Sequence, residues 1–113
     1  MVQQRDAELD RVFQALSDAT RRDILQRLQK GPVGLTALCD TYDMSLPALA
    51  KHVKVLESAG LATTERSGRG RHVTAQAKNL REAAEWINRY TQYWSETLDR
   101  FAECVANEKE SPA

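Results

Sequence analysis

Residues 35–75 read LTALCDTYDMSLPALAKHVKVLESAGLATTERSGRGRHVTA. The first part of this stretch, Leu35 to Tyr42, sets Leu35, Leu38 and Cys39 on one side of a short helix. Asp43-Met44 then predicts a tight turn. Ser45 is a good N-cap, because a hydroxyl there accepts an orphan backbone N–H. Pro47 falls in the first helical turn, where a missing N–H is tolerated. The second helix continues to about Ser58, with Leu49, Val53 and Leu56 inward, and Ala59-Gly60 ends it. Two short runs rich in Thr and Val, Leu61 to Arg66 and Arg71 to Ala75, bracket Ser67-Gly68-Arg69-Gly70. Extended runs around paired glycines predict a β-hairpin. Two helices, a tight turn and a glycine-tipped hairpin make a winged helix-turn-helix pattern.

The flanks fit this reading. A first helix is expected from about Arg5 to Leu16, with Leu9, Val12, Phe13 and Leu16 at helical spacing. Ser17 or Asp18 can cap a second, Thr20 to Gln29, which carries Ile24, Leu25 and Leu28 on one face and stops at Lys30-Gly31-Pro32. The last helix is expected from about Asn79 to Ala106. Leu80, Ala84, Ile87, Thr91, Trp94, Leu98, Phe101 and Val105 alternate four and three residues apart along it, a heptad seam that wants a partner helix. Trp86, Tyr90 and Tyr93 form a second stripe. The fold class is therefore mainly α with a small β-hairpin: five helices, with a two-stranded wing before a long C-terminal dimerisation helix. The expected organisation is a single domain over residues 1–106, with the helix-turn-helix at about 35–59, the wing at about 61–75, the dimerisation helix at about 79–106 and a flexible tail over 107–113. A dimer interface is expected from Leu9, Val12, Phe13, Ile87, Tyr90, Trp94, Leu98 and Phe101.

The 113-residue chain has the apolar fraction and charge mixture of an ordinary soluble protein. No segment approaches the roughly 20 apolar residues of a membrane span, and the polar start lacks a secretory core, so a cytoplasmic location is expected. Net charge is zero, yet residues 45–72 hold Lys51, Lys54, Arg66, Arg69 and Arg71 against only Glu57 and Glu65. A neutral chain can thus present one basic face. On the helix that starts at Ser45, Pro47, Ala48, Lys51 and Val55 oppose the inward leucines, with Ser45 and His52 at the margins. Such a helix fits a major groove: lysines suit phosphates, His52 suits a phosphate or base, and Ala48 suits a thymine methyl. Wing arginines suit the backbone or minor groove. The expected DNA-binding set is Ser45, Pro47, Ala48, Lys51, His52, Lys54, Arg66, Arg69 and Arg71, acting on double-stranded DNA.

Three other roles have less support in these residues. No Ser/His/Asp order, carboxylate pair or phosphate loop suggests an enzyme. A winged helix used only for protein interaction predicts a neutral recognition helix and a wing without arginines. Thiol-based redox sensing would use Cys39 and Cys104, but both sit on apolar stripes, where core packing is the simpler role.

The run Ala15-Leu16-Ser17-Asp18-Ala19-Thr20-Arg21-Arg22-Asp23-Ile24-Leu25 resembles the opening signature of the ArsR/SmtB-type bacterial winged-helix repressors. So do Ser45 to Leu56, the following Glu57-Ser58-Ala59-Gly60-Leu61, and Gly68-Arg69 of the wing. The resemblance spans about residues 9 to 100. It implies a dimer built from the first and last helices, an operator with two half-sites, and repression relieved by a signal. Where arsenic-responsive members have a Cys-x-Cys pair, this chain has Gly34 and Thr36, and only Cys39 matches a further family cysteine. The last helix has no histidine, whereas zinc-responsive members carry Asp and His ligands there. No metal and no cofactor is therefore expected. Leu46 stands where a polar residue is usual, and Val73 where an aromatic is frequent. Ser45 to Ala48 and the residues Trp86, Tyr90, Tyr93 and Trp94 most resemble the metal-independent branch.

Overall fold

A computed structural model describes the backbone of residues 4–110 and the side chains of residues 6–107. In chain order the elements are α1 (Gln4–Leu16), α2 (Ala19–Leu28), β1 (Val33–Gly34), α3 (Leu35–Tyr42), α4 (Leu46–Ser58), β2 (Ala62–Ser67), β3 (Gly70–Ala75) and α5 (Lys78–Glu110). The chain divides into two compact units between Ala83 and Ala84.

The first unit is built on local signals that agree with one another. The Asp18 carboxylate caps α2 by accepting the Arg21 backbone N–H at 3.1 Å. The Ser45 hydroxyl caps α4 by accepting from the Ala48 N–H at 3.3 Å, and Pro47 lies in the first turn. Between α3 and α4, Asp43 takes the left-handed conformation at φ 51°. This closes α3 and lets the Met44 N–H donate to the Cys39 carbonyl at 3.0 Å. Gly60, at φ +73°, ends α4, and the Leu61 N–H reaches back to the Leu56 carbonyl at 2.9 Å. A side chain at Gly60 would also meet the Asn79 amide, which donates to the Ala59 carbonyl at 3.0 Å.

The wing register pairs Ser67 with Gly70, so the loop is Gly68-Arg69. Gly68 alone of these two has positive φ, the pattern of a type II′ turn. The sheet has three strands rather than two, in the order β1-β3-β2, all antiparallel. β1 pairs Val33 with Val73 and Gly34 with His72. Sequence reading missed this strand because it is two residues long, follows Pro32 and exists only through a partner forty positions away.

The core comes from every element of this unit. Val12, Ala15, Ile24, Leu28, Leu38, Leu49, Val53, Leu56, Leu61, Val73 and Ala83 are buried, with Leu9, Phe13, Leu16, Leu25 and Val33 packed against them. Each fully buried aliphatic side chain stabilises the fold by about 1.5–3 kcal/mol before entropy is counted. Val12 was expected at a dimer interface. It is instead sealed inside its own chain, because the turn of α1 that carries it faces α2 and α4. Val55, expected on the outer side of α4, is half-buried against the same core.

The second unit is helix. α5 runs to Glu110, past the Ala106 expected as its end, so residues 107–110 continue the helix, and 111–113 lie outside the described residues. Its large apolar side chains, among them Ile87, Tyr90, Trp94, Leu98 and Phe101, are exposed. Trp86 and Tyr90 lie with ring centroids 4.4 Å apart, and Tyr93 meets Trp94 edge-on at 5.6 Å. Cys104 is exposed in this row rather than packed, and Cys39 is half-buried in the first unit. Among the described residues no helix is long and apolar enough to cross a membrane.

Candidate nucleic-acid interface

α4 is anchored by Leu49, Val53 and Leu56, so its other side is free. Leu46, Pro47, Ala48, Ala50, Lys51 and Lys54 are exposed there. Ser45 is also exposed, but its oxygen is engaged in the cap, leaving its O–H as the free donor. Small side chains at the N-terminal turn followed by lysines one turn on match what a groove-reading helix needs: close approach first, then phosphate contact.

The wing adds three exposed arginines. The register sets Arg66 directly opposite Arg71. Like charges facing across a strand pair destabilise the hairpin, so this pair does not serve the fold. Both project from the sheet face that bears Val73, beyond the part of that face covered by core. Arg69 is at the turn and is exposed. His72, by contrast, sits on the central strand between Gly34 and Glu65, half-buried, and its Nδ1 is buried without a hydrogen-bond partner.

His52 holds a different position from the lysines. Its side chain is 23% exposed, and its Nδ1 lies 3.7 Å from the Asp18 carboxylate and 3.3 Å from an Arg21 guanidinium nitrogen. A guanidinium only donates, so in the neutral ring Nδ1 accepts and the proton resides on Nε2. His52 thus keeps one N–H donor for a ligand.

Arg21 is the hub that sequence reading missed. Its Nε donates to the Ala15 carbonyl at 2.8 Å and a terminal nitrogen to the Gln14 carbonyl at 3.1 Å. Arg22 donates to the Leu16 carbonyl at 2.7 Å. The two arginines satisfy the orphan carbonyls at the end of α1, and cations are favoured at that end of a helix. Asp18 is held below the usual carboxylate range, first by the Arg21 backbone N–H and then by the nearby His52 ring and Arg21 guanidinium, with burial opposing them. The run Asp18-Ala19-Thr20-Arg21-Arg22 therefore joins α1, α2 and α4 at one corner.

A second network braces α3. The Tyr42 hydroxyl donates to Asp23, and Arg27 donates to the same carboxylate oxygen at 3.0 Å. The Tyr42 and Arg27 bonds hold Asp23 below its ordinary range. Burial, followed by the bond to Asp23, pushes Tyr42 up.

Known proteins agree with this geometry. A helix-turn-helix domain family matches residues 16–65. The HTH-type transcriptional regulator Rv2034 of Mycobacterium tuberculosis is 32% identical over 99 residues, covering 88% of this chain and 90% of its own. A solved ArsR family transcriptional regulator, RHA00566, superposes with TM-score 0.73 at 34% identity, over 84% of this chain and 97% of the other. The chain belongs to the ArsR family of winged-helix transcriptional regulators. The homodimeric winged helix-turn-helix DNA-binding domain Mb0332 of Mycobacterium bovis, at 22% identity and TM-score 0.58 over 88% of each chain, shares its fold. The regulator carries a winged helix-turn-helix DNA-binding domain. Gly34 and Thr36 offer no ligand, and among the described residues no three His, Cys, Asp or Glu side chains cluster.

Proposed function

We propose that the regulator is a sequence-specific repressor that binds operator DNA as a homodimer in the cytoplasm, without a metal signal. The observation that carries this is the Ser45-capped face of α4. Pro47, Ala48, Lys51 and Lys54 are exposed on a helix whose other side is fully anchored, next to a wing with a facing arginine pair. Ala48 and the Nε2–H of His52 read base edges, while Lys51, Lys54, Arg66, Arg69 and Arg71 hold phosphates. The apolar row of α5 supports dimerisation, because exposed aromatic and aliphatic groups at heptad spacing are covered best by a second copy of the same helix. Mb0332, described as homodimeric, is in line with that assembly. Leu9 and Phe13 of α1, half-buried in their own chain, complete the interface with Ile87, Tyr90, Trp94, Leu98 and Phe101. The two α4 helices then enter successive major grooves about 34 Å apart.

Fluorescence anisotropy on a duplex from the regulator's own promoter and on a scrambled duplex, at two salt concentrations, tests the reading. Tighter, salt-sensitive binding to the promoter is expected. Absence of binding to either at low salt would remove it and favour a protein-interaction role.

A further inference from the structure

Arg11 and Gln14 are one helical turn apart on α1, and Lys51, Lys54, Val55 and Ser58 form a matching stripe on α4. Together they line one open groove of about 620 Å³. Three of the six side chains are cationic and none is acidic. Asp10 and Glu57, the nearest acids in sequence, do not line it. Among the described residues neither Arg11, Lys51 nor Lys54 forms an ion pair. Three like charges gathered without counterions repel one another, and a bound anion removes that cost. Gln14 and Ser58 add neutral donors, and Val55 supplies an apolar floor.

The walls of this groove are tied together. Arg21 grips the Gln14 and Ala15 carbonyls on one side and the His52 ring on the other. The last turn of α1 is therefore held against α4, and Arg11 keeps its place beside Lys51 and Lys54 as α4 docks.

We propose that this groove is a phosphodiester site for the backbone of the same DNA duplex that α4 reads, with Arg11 as the α1 residue that contacts it. The proposal rests on the DNA-binding reading above and extends it from α4 and the wing to α1. The contact is sequence-independent: Arg11 and Gln14 fix the register of the duplex, and the N-terminal turn of α4 reads it.

The salt dependence of binding tests it. Wild type, Arg11→Ala, Arg11→Lys and Lys51→Ala are titrated by anisotropy on promoter and scrambled duplexes between about 50 and 200 mM salt. Loss of one phosphate contact lowers the slope of log affinity against log salt by about 0.9, a roughly threefold difference across that range. Arg11→Ala should show this drop equally on both duplexes, and Arg11→Lys should restore it. Arg11 is exposed, so its removal should leave thermal melting unchanged. An Arg11→Ala slope equal to wild type, with Lys51→Ala still lowered, would overturn the groove site and leave DNA binding by α4 intact. If inorganic phosphate raises the melting temperature at fixed ionic strength, and Arg11→Ala abolishes this without changing the DNA slope, the groove holds free anions, and the proposal fails. No binding by wild type to either duplex would remove the DNA reading and this site together.

Discussion

α4 and α5 are both amphipathic, yet their apolar residues meet different fates. Leu49, Val53 and Leu56 of α4 are buried by their own chain, Leu56 fully. On α5, Ile87, Trp94, Leu98 and Phe101 remain exposed, Phe101 by 66%. The same helical code therefore serves two ends. In the first unit it closes a core that needs no other molecule. In the second it leaves a surface whose burial requires one. A charged replacement should distinguish the two, because it is costly only where the position ends up away from water.

The largest effect is expected in α5. Trp94→Glu should weaken dimerisation by roughly three orders of magnitude, about 4 kcal/mol, by placing carboxylates in the dimer seam. Sedimentation at micromolar concentration would then show monomer, with a fold unchanged by circular dichroism. A surviving dimer would move the seam elsewhere. Next is Leu56→Ala, which should cost about 3 kcal/mol in denaturant unfolding by opening a cavity in the first unit. Leu98→Ala, of the same chemistry, should cost a dilute monomer less than about 0.5 kcal/mol. Equal costs for the two would erase the contrast between the helices.

Asp18→Ala should remove about 1 kcal/mol with the α2 cap. It should also blunt acid unfolding. Asp18 and Asp23 both have carboxyls lowered from 3.8 by folding. Their contribution is thus complete above the unfolded value and disappears as pH falls below 3.8 through the folded values. An acid unfolding midpoint unaltered in the variant would show that the cap has no part in it. The smallest effect is expected at the wing. Arg66→Ser removes a facing like charge and should raise stability by a few tenths of a kcal/mol. The same change should weaken DNA binding. A variant less stable than wild type would mean that the pair serves the fold.

Much of the first unit was legible because local signals coincided: the Ser45 cap, Pro47 in the first turn, Gly60 at the end of α4 and Gly68 in the hairpin loop each demand one conformation. What was illegible depended on tertiary partners. β1 exists through Val33 pairing with Val73. Val12 shares a helical stripe with Leu9 and Phe13, and periodicity cannot say whether the stripe meets its own core or another chain. The bonds from Arg21 to α1 and His52 bridge elements whose approach no spacing encodes. The exposed lysines and wing arginines were readable as charge, whereas the place of Arg11 in one groove with Lys51 and Lys54 was not, since those lysines lie on another helix. Core packing, the simpler role expected for both cysteines, holds for Cys39, which packs against the core of the first unit, and not for Cys104, which is exposed on α5.

The most direct measurement is a hydroxyl-radical footprint of the regulator on its own promoter. A dimer on two half-sites should leave two protected patches whose centres are about 10 base pairs apart, one turn of the duplex, each the imprint of one α4 and its wing. A single patch, or protection with no such spacing, would contradict a dimer that reads two half-sites.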